Sequence, residues 1–247
     1  MTYRLTIIPE QIDQDLITLD SQQLHYLLRV LRLGNGDRFL AMDGGGNTWL
    51  AEIKEHLAKI IESVEVDNEL PVSLTLVTAL PKGSGYEQII RCGTELGVSK
   101  FIPVISDRTL LKPSLSKVQR WRKIATEASE QSERQIIPQV MEPVKFRDAI
   151  SESSTSFNQH HQYICVARGY KATLSDSINS ISNQALTEIV IATGCEGGWT
   201  AAEIEQAIAC GFQPVSLGRR ILRAITAPIV VCSLVAARLE SDKFKKI

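Results

Sequence analysis

The stretch EIVIATGCEGGWTAAEIEQAIACG, Glu188–Gly211, decides the fold. Its first part, Glu188–Thr193, is a short continuous apolar run, the pattern of a strand buried on both faces. Its last part opens with Thr200 and Glu203 in capping-box spacing and reads as a helix to Gly211, whose glycine suits a helix end. A buried strand leading directly into a helix is one βα unit of a parallel sheet. Between them lies TGCEGGWT, Thr193–Thr200. Gly194, Gly197 and Gly198 let the backbone turn sharply and approach another group closely. That group is either more protein, in a tight strand–helix turn, or a ligand. Glu196 is either a solvated acid favoured near a helix N-terminus or a functional carboxylate.

The same rhythm extends outward from this unit. Val72–Leu80, Lys100–Ser106, Gln162–Ala167 and Gln213–Gly218 read as further strands. Helices are expected after Ser84, with Glu87 completing a capping box and Gly97 closing the helix, over Ser116–Glu133, and over Leu222–Leu239. Alternation of this kind predicts an α/β domain with a mostly parallel sheet. Polar, Ser-rich Ile150–His161 reads as a surface loop. The first seventy residues differ. Tyr3–Ile8, Asp37–Asp43, Thr48–Glu55 and Ala58–Val66 are strand-like, separated by the turn signals GNGD and DGGGN. One helix, Asp20–Leu33, interrupts them, capped by Asp20 or Ser21. Short strands with regular turns suggest a small barrel. Val66–Pro71 is polar and ends in proline, so the domains are expected at 1–70 and 71–247.

Bulk composition narrows the function classes. The 44% hydrophobic and 22% charged content is that of a globular domain. No apolar run is long enough to span a bilayer, the longest being Ala227–Ala237, and the N-terminus lacks a signal-peptide pattern. Five scattered cysteines show neither metal-ligand nor redox-motif spacing, which fits free thiols in a reducing cytosol. No metal site is expected. The 27 basic residues against 28 acidic ones argue against a protein that coats nucleic acid generically, but leave room for a local basic patch.

In open α/β sheets ligands bind beyond the carboxyl ends of the strands. Three such ends stand out: ARGYK at Ala167–Lys171, TGCEGGW, and SLGRRILRAITAP at Ser216–Pro228. None carries a GxGxxG fingerprint or a P-loop. In GRRILR, three arginines gather where a helix is expected to start. Cations are disfavoured at that end, which hints at an anionic partner.

Taken together and in order, four blocks resemble the RsmE family, ribosomal RNA small-subunit methyltransferases of the SPOUT superfamily. They are ALPKGSGYEQIIRCGTELGVSKFIPVISDRT (Ala79–Thr109), RWRKIATEASEQSER (Arg120–Arg134), GCEGGWTAAEIEQA (Gly194–Ala207) and GFQPVSLGRRILRAITA (Gly211–Ala227). HYLLRVLRLGNGDRFLAMDGGG (His25–Gly46) is similar to the family's N-terminal RNA-binding domain. The resemblance covers nearly the whole chain. It departs at two positions: Cys195 stands where the family usually has proline, and Ile225 where it usually has glutamate.

The resemblance implies a PUA-like β-barrel followed by an α/β SPOUT trefoil-knot methyltransferase domain. It implies a homodimer without metal or membrane, S-adenosylmethionine as cofactor, and N3 of a uridine in 16S ribosomal RNA, in the small subunit, as target. The cofactor would lie against Gly194, Cys195, Glu196, Gly197, Gly198, Leu217, Gly218, Ile221, Leu222 and Arg223, with Ala167 and Arg168 at the first loop. Chemistry at N3 calls for a cation where uracil charge develops, for which Arg223, Arg219 and Arg108 are candidates, with Glu196 the nearest base. RNA contacts are expected from Arg29, Arg32, Lys82, Arg108, Lys112 and Arg134. His25 and Trp49 could stack on a base or simply pack in the barrel. Two other readings stay open: a different RNA target on the same fold, and an assembly factor that has lost catalysis, for which Ile225 speaks.

Overall fold

The computed structural model describes residues 3–152, 160–181 and 186–244. The chain divides into two units: the residues up to Glu69 together with Thr126–Ile137, and Leu70–Ala125 together with the chain from Pro138 onward. The segment Thr126–Ile137, expected in the second domain, therefore groups with the first.

The first unit is built on a six-stranded mixed sheet. Its strands are β1 (Arg4–Thr6), β2 (Ile12–Asp13), β3 (Leu16–Thr18), β4 (Arg38–Met42), β5 (Thr48–Lys54) and β6 (Leu57–Ser63), in the order β1-β4-β5-β6-β3-β2. Only the β1–β4 pair is parallel. Leu5, Ile7, Ile17, Leu27, Phe39, Ala51 and Ile53 form its core. The helix expected over Asp20–Leu33 is shorter and irregular. Asp20 caps α1 (Ser21–His25), its Oδ1 accepting the Gln22 and Gln23 N–H groups at 2.8 Å. Tyr26–Val30 then widens into a π-helical turn, closed by the Leu31 N–H on the Tyr26 carbonyl, and Arg32 adopts φ +58°.

Thr126–Ile137 is fastened to this unit by several bonds. Arg4 pairs with Glu133, Glu130 accepts the Thr6 N–H at 2.7 Å, and the Ile137 N–H reaches the Gly44 carbonyl. Asn68 donates to the Glu133 carbonyl. Arg134 is buried, only 4% exposed, and donates from Nε and Nη2 to Glu69 at 3.0 and 2.7 Å. Glu69 also accepts the Ile136 N–H. The expected RNA contact through Arg134 is thereby corrected: a guanidinium enclosed and paired with a carboxylate holds structure together.

The second unit carries a seven-stranded, all-parallel sheet. Its strands are β7 (Ser73–Ala79), β8 (Lys100–Ile105), β9 (Gln139–Val140), β10 (Val144–Lys145), β11 (His160–Cys165), β12 (Glu188–Thr193) and β13 (Gln213–Val215). The order is β10-β8-β7-β12-β11-β13, with β9 also on β8. The helices are α2 (Gly85–Glu95), α3 (Leu115–Gln131), α4 (Phe146–Glu152), α5 (Leu174–Asn179), α6 (Ala201–Ala209) and α7 (Thr226–Phe244). The last part of α3 is the piece that belongs to the first unit. Full burial of β7 and β12, apart from each strand's first residue, explains why apolar residues and threonine fill them with no polar–apolar alternation. The loop expected at Ile150–His161 lies largely outside the described residues, and its first residues end α4.

Two helix starts differ from expectation. Ser84 makes no side-chain cap on α2; Glu87 instead pairs with Arg120 at 3.0 Å. The final helix begins at Thr226 rather than Leu222. Pro228 accounts for this: a helix begun at Leu222 would need a proline N–H for the Ala224 carbonyl and would drive its ring into that carbonyl. In the observed helix Pro228 sits in the first turn, where no donor is missed. Leu222–Ile225 is thus freed from the helix.

Candidate functional site

Three of the parallel strands, β11, β12 and β13, end around one pocket of about 700 Å³. Cys165 ends β11 and Val166–Arg168 follows it, Gly194–Trp199 follows β12, and Ser216–Ala227 follows β13. Arg108, from the loop after β8, completes the wall.

The glycine loop is shaped by its neighbours. The Gly198 N–H closes a turn on the Cys195 carbonyl at 2.9 Å, with Gly198 at φ +66°. A Cβ at Gly194 would lie 3.1 Å from the Gly198 Cα, so the two backbone arms leave no room for a side chain. Thr200 caps α6, and the buried Glu203 accepts the Thr200 N–H at 2.8 Å and the Asp107 N–H at 2.9 Å. Trp199 anchors the loop in the core, its ring 4.6 Å from that of Phe146. Glu196 is exposed, and its Oε1 accepts the Lys82 N–H at 3.0 Å. Its carboxylate therefore tethers this loop to the residues that follow β7.

The second wall is apolar. Leu217, Ile221 and Leu222 line it, with Ala224, Ile225 and Ala227. Gly218 stands at φ +112° with open space where a Cβ would be, so the backbone there is bare toward a ligand. Ile225 lies over the start of α2: a Cβ on Gly85 would come within 2.8 Å of its Cδ1. The position where the family pattern has an acid is here a hydrocarbon lid on Gly85.

Charge in the wall is one-sided. Arg108, Arg168, Arg220 and Arg223 line the pocket, and Glu196 is the one acid among its described residues. The half-buried Cys165 thiol is pushed up to about 12, mainly by desolvation, which disfavours the thiolate.

The structure gathers most of the expected residues here: Ala167, Gly194, Cys195, Glu196, Gly197, Gly198, Leu217, Gly218, Ile221, Leu222, Arg223 and Arg108. Arg219 is corrected: it is exposed and outside the wall, where Arg220 stands instead. With no helix at 219–223, side-chain direction could not be taken from helical spacing. Cys165, Val166, Ile204, Ala224 and Ala227 also line the wall, beyond the residues expected from the sequence. Arg29, Arg32, Lys82 and Lys112 are exposed. His25 is exposed, and Trp49 is half-buried against the first unit's core. Among the described residues no cluster of His, Cys, Asp or Glu could hold a metal, and no helix is long and apolar enough to cross a membrane.

Comparison with known proteins agrees with this geometry. A family described as RNA methyltransferase domain matches residues 68–236, and one described as RNA methyltransferase PUA domain matches residues 19–62. The chain is 49% identical to the ribosomal RNA small subunit methyltransferase E of Synechocystis, over 98% of this chain and 79% of that one. It is 29% identical to the Bacillus subtilis protein of the same name, over 96% of each. The crystal structure of the Neisseria gonorrhoeae ribosomal RNA small subunit methyltransferase E, bound to S-adenosyl methionine, is 29% identical. It superposes with a TM-score of 0.81 over 99% of this chain and 98% of that one. The chain, an α/β domain with a small PUA-like domain before it, belongs to the ribosomal RNA small subunit methyltransferase E family.

Proposed function

We propose that this protein transfers the methyl group of S-adenosylmethionine to N3 of a uridine in 16S ribosomal RNA of the small subunit. The observation that carries the reading is the pocket at the ends of β11, β12 and β13. One wall is bare glycine backbone, one is apolar, and the rim is rich in arginine. Its volume suits a nucleoside-sized ligand. Leu217, Ile221 and Leu222 would hold an adenine ring by apolar contact, while the bare backbone at Gly218 and Gly194–Gly198 would meet its polar groups.

The bound cofactor supplies a methyl group already activated on a sulfonium. The chain's own task concerns the nucleophile. N3 of uracil carries a proton at neutral pH, and its loss spreads negative charge to O2 and O4. A guanidinium fixed where that charge develops stabilises it in the transition state. Arg223 and Arg220, both in the wall, are the cations we assign to this role. Glu196 accepts the Lys82 N–H through Oε1; we assign it the tether of the glycine loop, and the N3 proton to solvent. The remaining rate enhancement comes from aligning N3 with the methyl group. The exposed Arg29, Arg32, Lys82 and Lys112 supply phosphate contacts, which position the RNA without reading its sequence. The protein acts in the cytoplasm, as a homodimer, and needs no metal.

Calorimetric titration with S-adenosylmethionine and S-adenosylhomocysteine tests the pocket assignment. One site per chain is expected, lost in Leu222→Arg. Absence of binding by the unaltered protein would contradict it.

A further inference from the structure

We propose that Arg108 is a positioning residue for the cofactor: it holds the glycine loop in the shape that receives S-adenosylmethionine without touching the reacting atoms. This rests on the methyltransferase reading above. Arg108 comes from a separate element, the loop after β8, yet its Nη1 donates to two carbonyls of the glycine loop. These are Gly197 O at 2.6 Å and Trp199 O at 3.2 Å. Its aliphatic stem lies on Gly197, where a Cβ would come within 3.0 Å of Cδ and 3.1 Å of Cβ. The stem and Gly197 are therefore fitted to each other.

The two carbonyls bracket Gly198, the residue in the left-handed region at φ +66°. A Cβ there would meet nothing within 4 Å, so Gly198 is held through its backbone alone: its Cα lies against Gly194 and its N–H closes the turn on Cys195. Glycine loses more conformational entropy than any other residue when it is fixed. One charged donor on the carbonyls either side of it removes that freedom before the ligand arrives. The Glu196 and Gly197 N–H groups have no protein partner among the described residues. A loop with unpartnered donors binds tightly only if its shape is set in advance. The Glu196–Lys82 tether and the Gly198 turn hold the loop's first half; Arg108 holds the second.

The test compares the full-length protein with Arg108→Lys, Arg108→Gln and Arg108→Ala. Each is measured by calorimetry with S-adenosylhomocysteine, by thermal unfolding without ligand, and by steady-state methyl transfer. Arg108→Ala is expected to bind on the order of tenfold more weakly, as loss of a charge-assisted bond implies. Arg108→Lys, which keeps the charge but not the fork, is expected to be intermediate. The KM for S-adenosylmethionine should rise in step, with kcat at saturation within about twofold of the parent. Amide exchange at Gly198 should quicken in the unliganded variants. Should Arg108→Ala fail to fold, Arg108→Gln carries the comparison. Unchanged affinity in a folded variant would overturn the proposal, as would lost kcat at unchanged affinity, which would place Arg108 at the reacting base. Failure of the parent protein to bind at all would instead overturn the methyltransferase reading.

Discussion

Glu196 accepts a single backbone N–H, from Lys82 at 3.0 Å, a bond that an amide oxygen also makes. Glu196→Gln is therefore expected to keep cofactor affinity within about threefold and leave the shape of the pH–rate profile unchanged. Glu196→Ala should weaken binding further by releasing the loop. A Glu196→Gln protein that binds normally but does not turn over would make Glu196 the base after all. Gly194 and Gly197 separate in a second experiment. A Cβ at Gly194 meets backbone of Gly198, whereas at Gly197 it meets the flexible Arg108 side chain. Gly194→Ala is expected to cost about 1–3 kcal/mol of stability and most cofactor binding, and Gly197→Ala less of both, read by thermal unfolding and calorimetry. The glycines were legible as a strand–helix turn because a positive φ and a close approach leave a sequence signature. The partner of Glu196 was not: nothing local says that the residue after Pro81 donates to it. The reach of Arg108 to the Gly197 and Trp199 carbonyls was hidden for the same reason.

At the scale of elements, the discontinuity of the first unit has a measurable consequence. Arg134 and Glu69 form an enclosed ion pair, and removing one partner strands the other's charge. Arg134→Ala is expected to destabilise the protein by about 3–5 kcal/mol in denaturant unfolding. For the same reason a fragment ending at residue 70 should lack a cooperative transition, since it loses the partners of Arg4, Thr6 and Glu69. Glu130 adds a pH dependence. Burial holds its carboxyl above the usual range, although it accepts the Thr6 N–H. The folded state thus binds this proton more tightly than the unfolded chain, and the group's contribution to stability falls as pH rises from its unfolded to its folded value. Glu130→Gln keeps an acceptor for Thr6. Its stability relative to the parent should rise across that window and level off above it, as denaturant midpoints at a series of pH values will show. The longer strands and the α6 capping box were readable from period and cap chemistry; β2, β3, β9 and β10, two or three residues each, were too short to leave a pattern. The start of α7 was misplaced because the apolar pattern runs on through Leu222, while Pro228 sets the limit. Thr126–Ile137 could not be assigned to the first unit from sequence, because its bonds reach residues more than sixty positions away.

For the molecule as a whole, net charge and site charge diverge. The chain carries −1 overall, yet four arginines face one acid in the pocket wall. Counting residues over the whole chain could not reveal this, since helix and loop direction decide which arginines reach the wall. Strand order was similarly illegible: β12 lies between β7 and β11, and no local pattern orders parallel strands. The trefoil knot implied by the resemblance is likewise a property of the chain's path rather than of any segment. The most direct test of the account is methyl transfer from labelled S-adenosylmethionine to small ribosomal subunits that lack the modification, with the product nucleosides identified by mass spectrometry. The account requires 3-methyluridine, formed at a single site in 16S RNA and abolished in Leu222→Arg. Transfer to a different nucleoside, or no transfer by a protein that binds the cofactor, would contradict it.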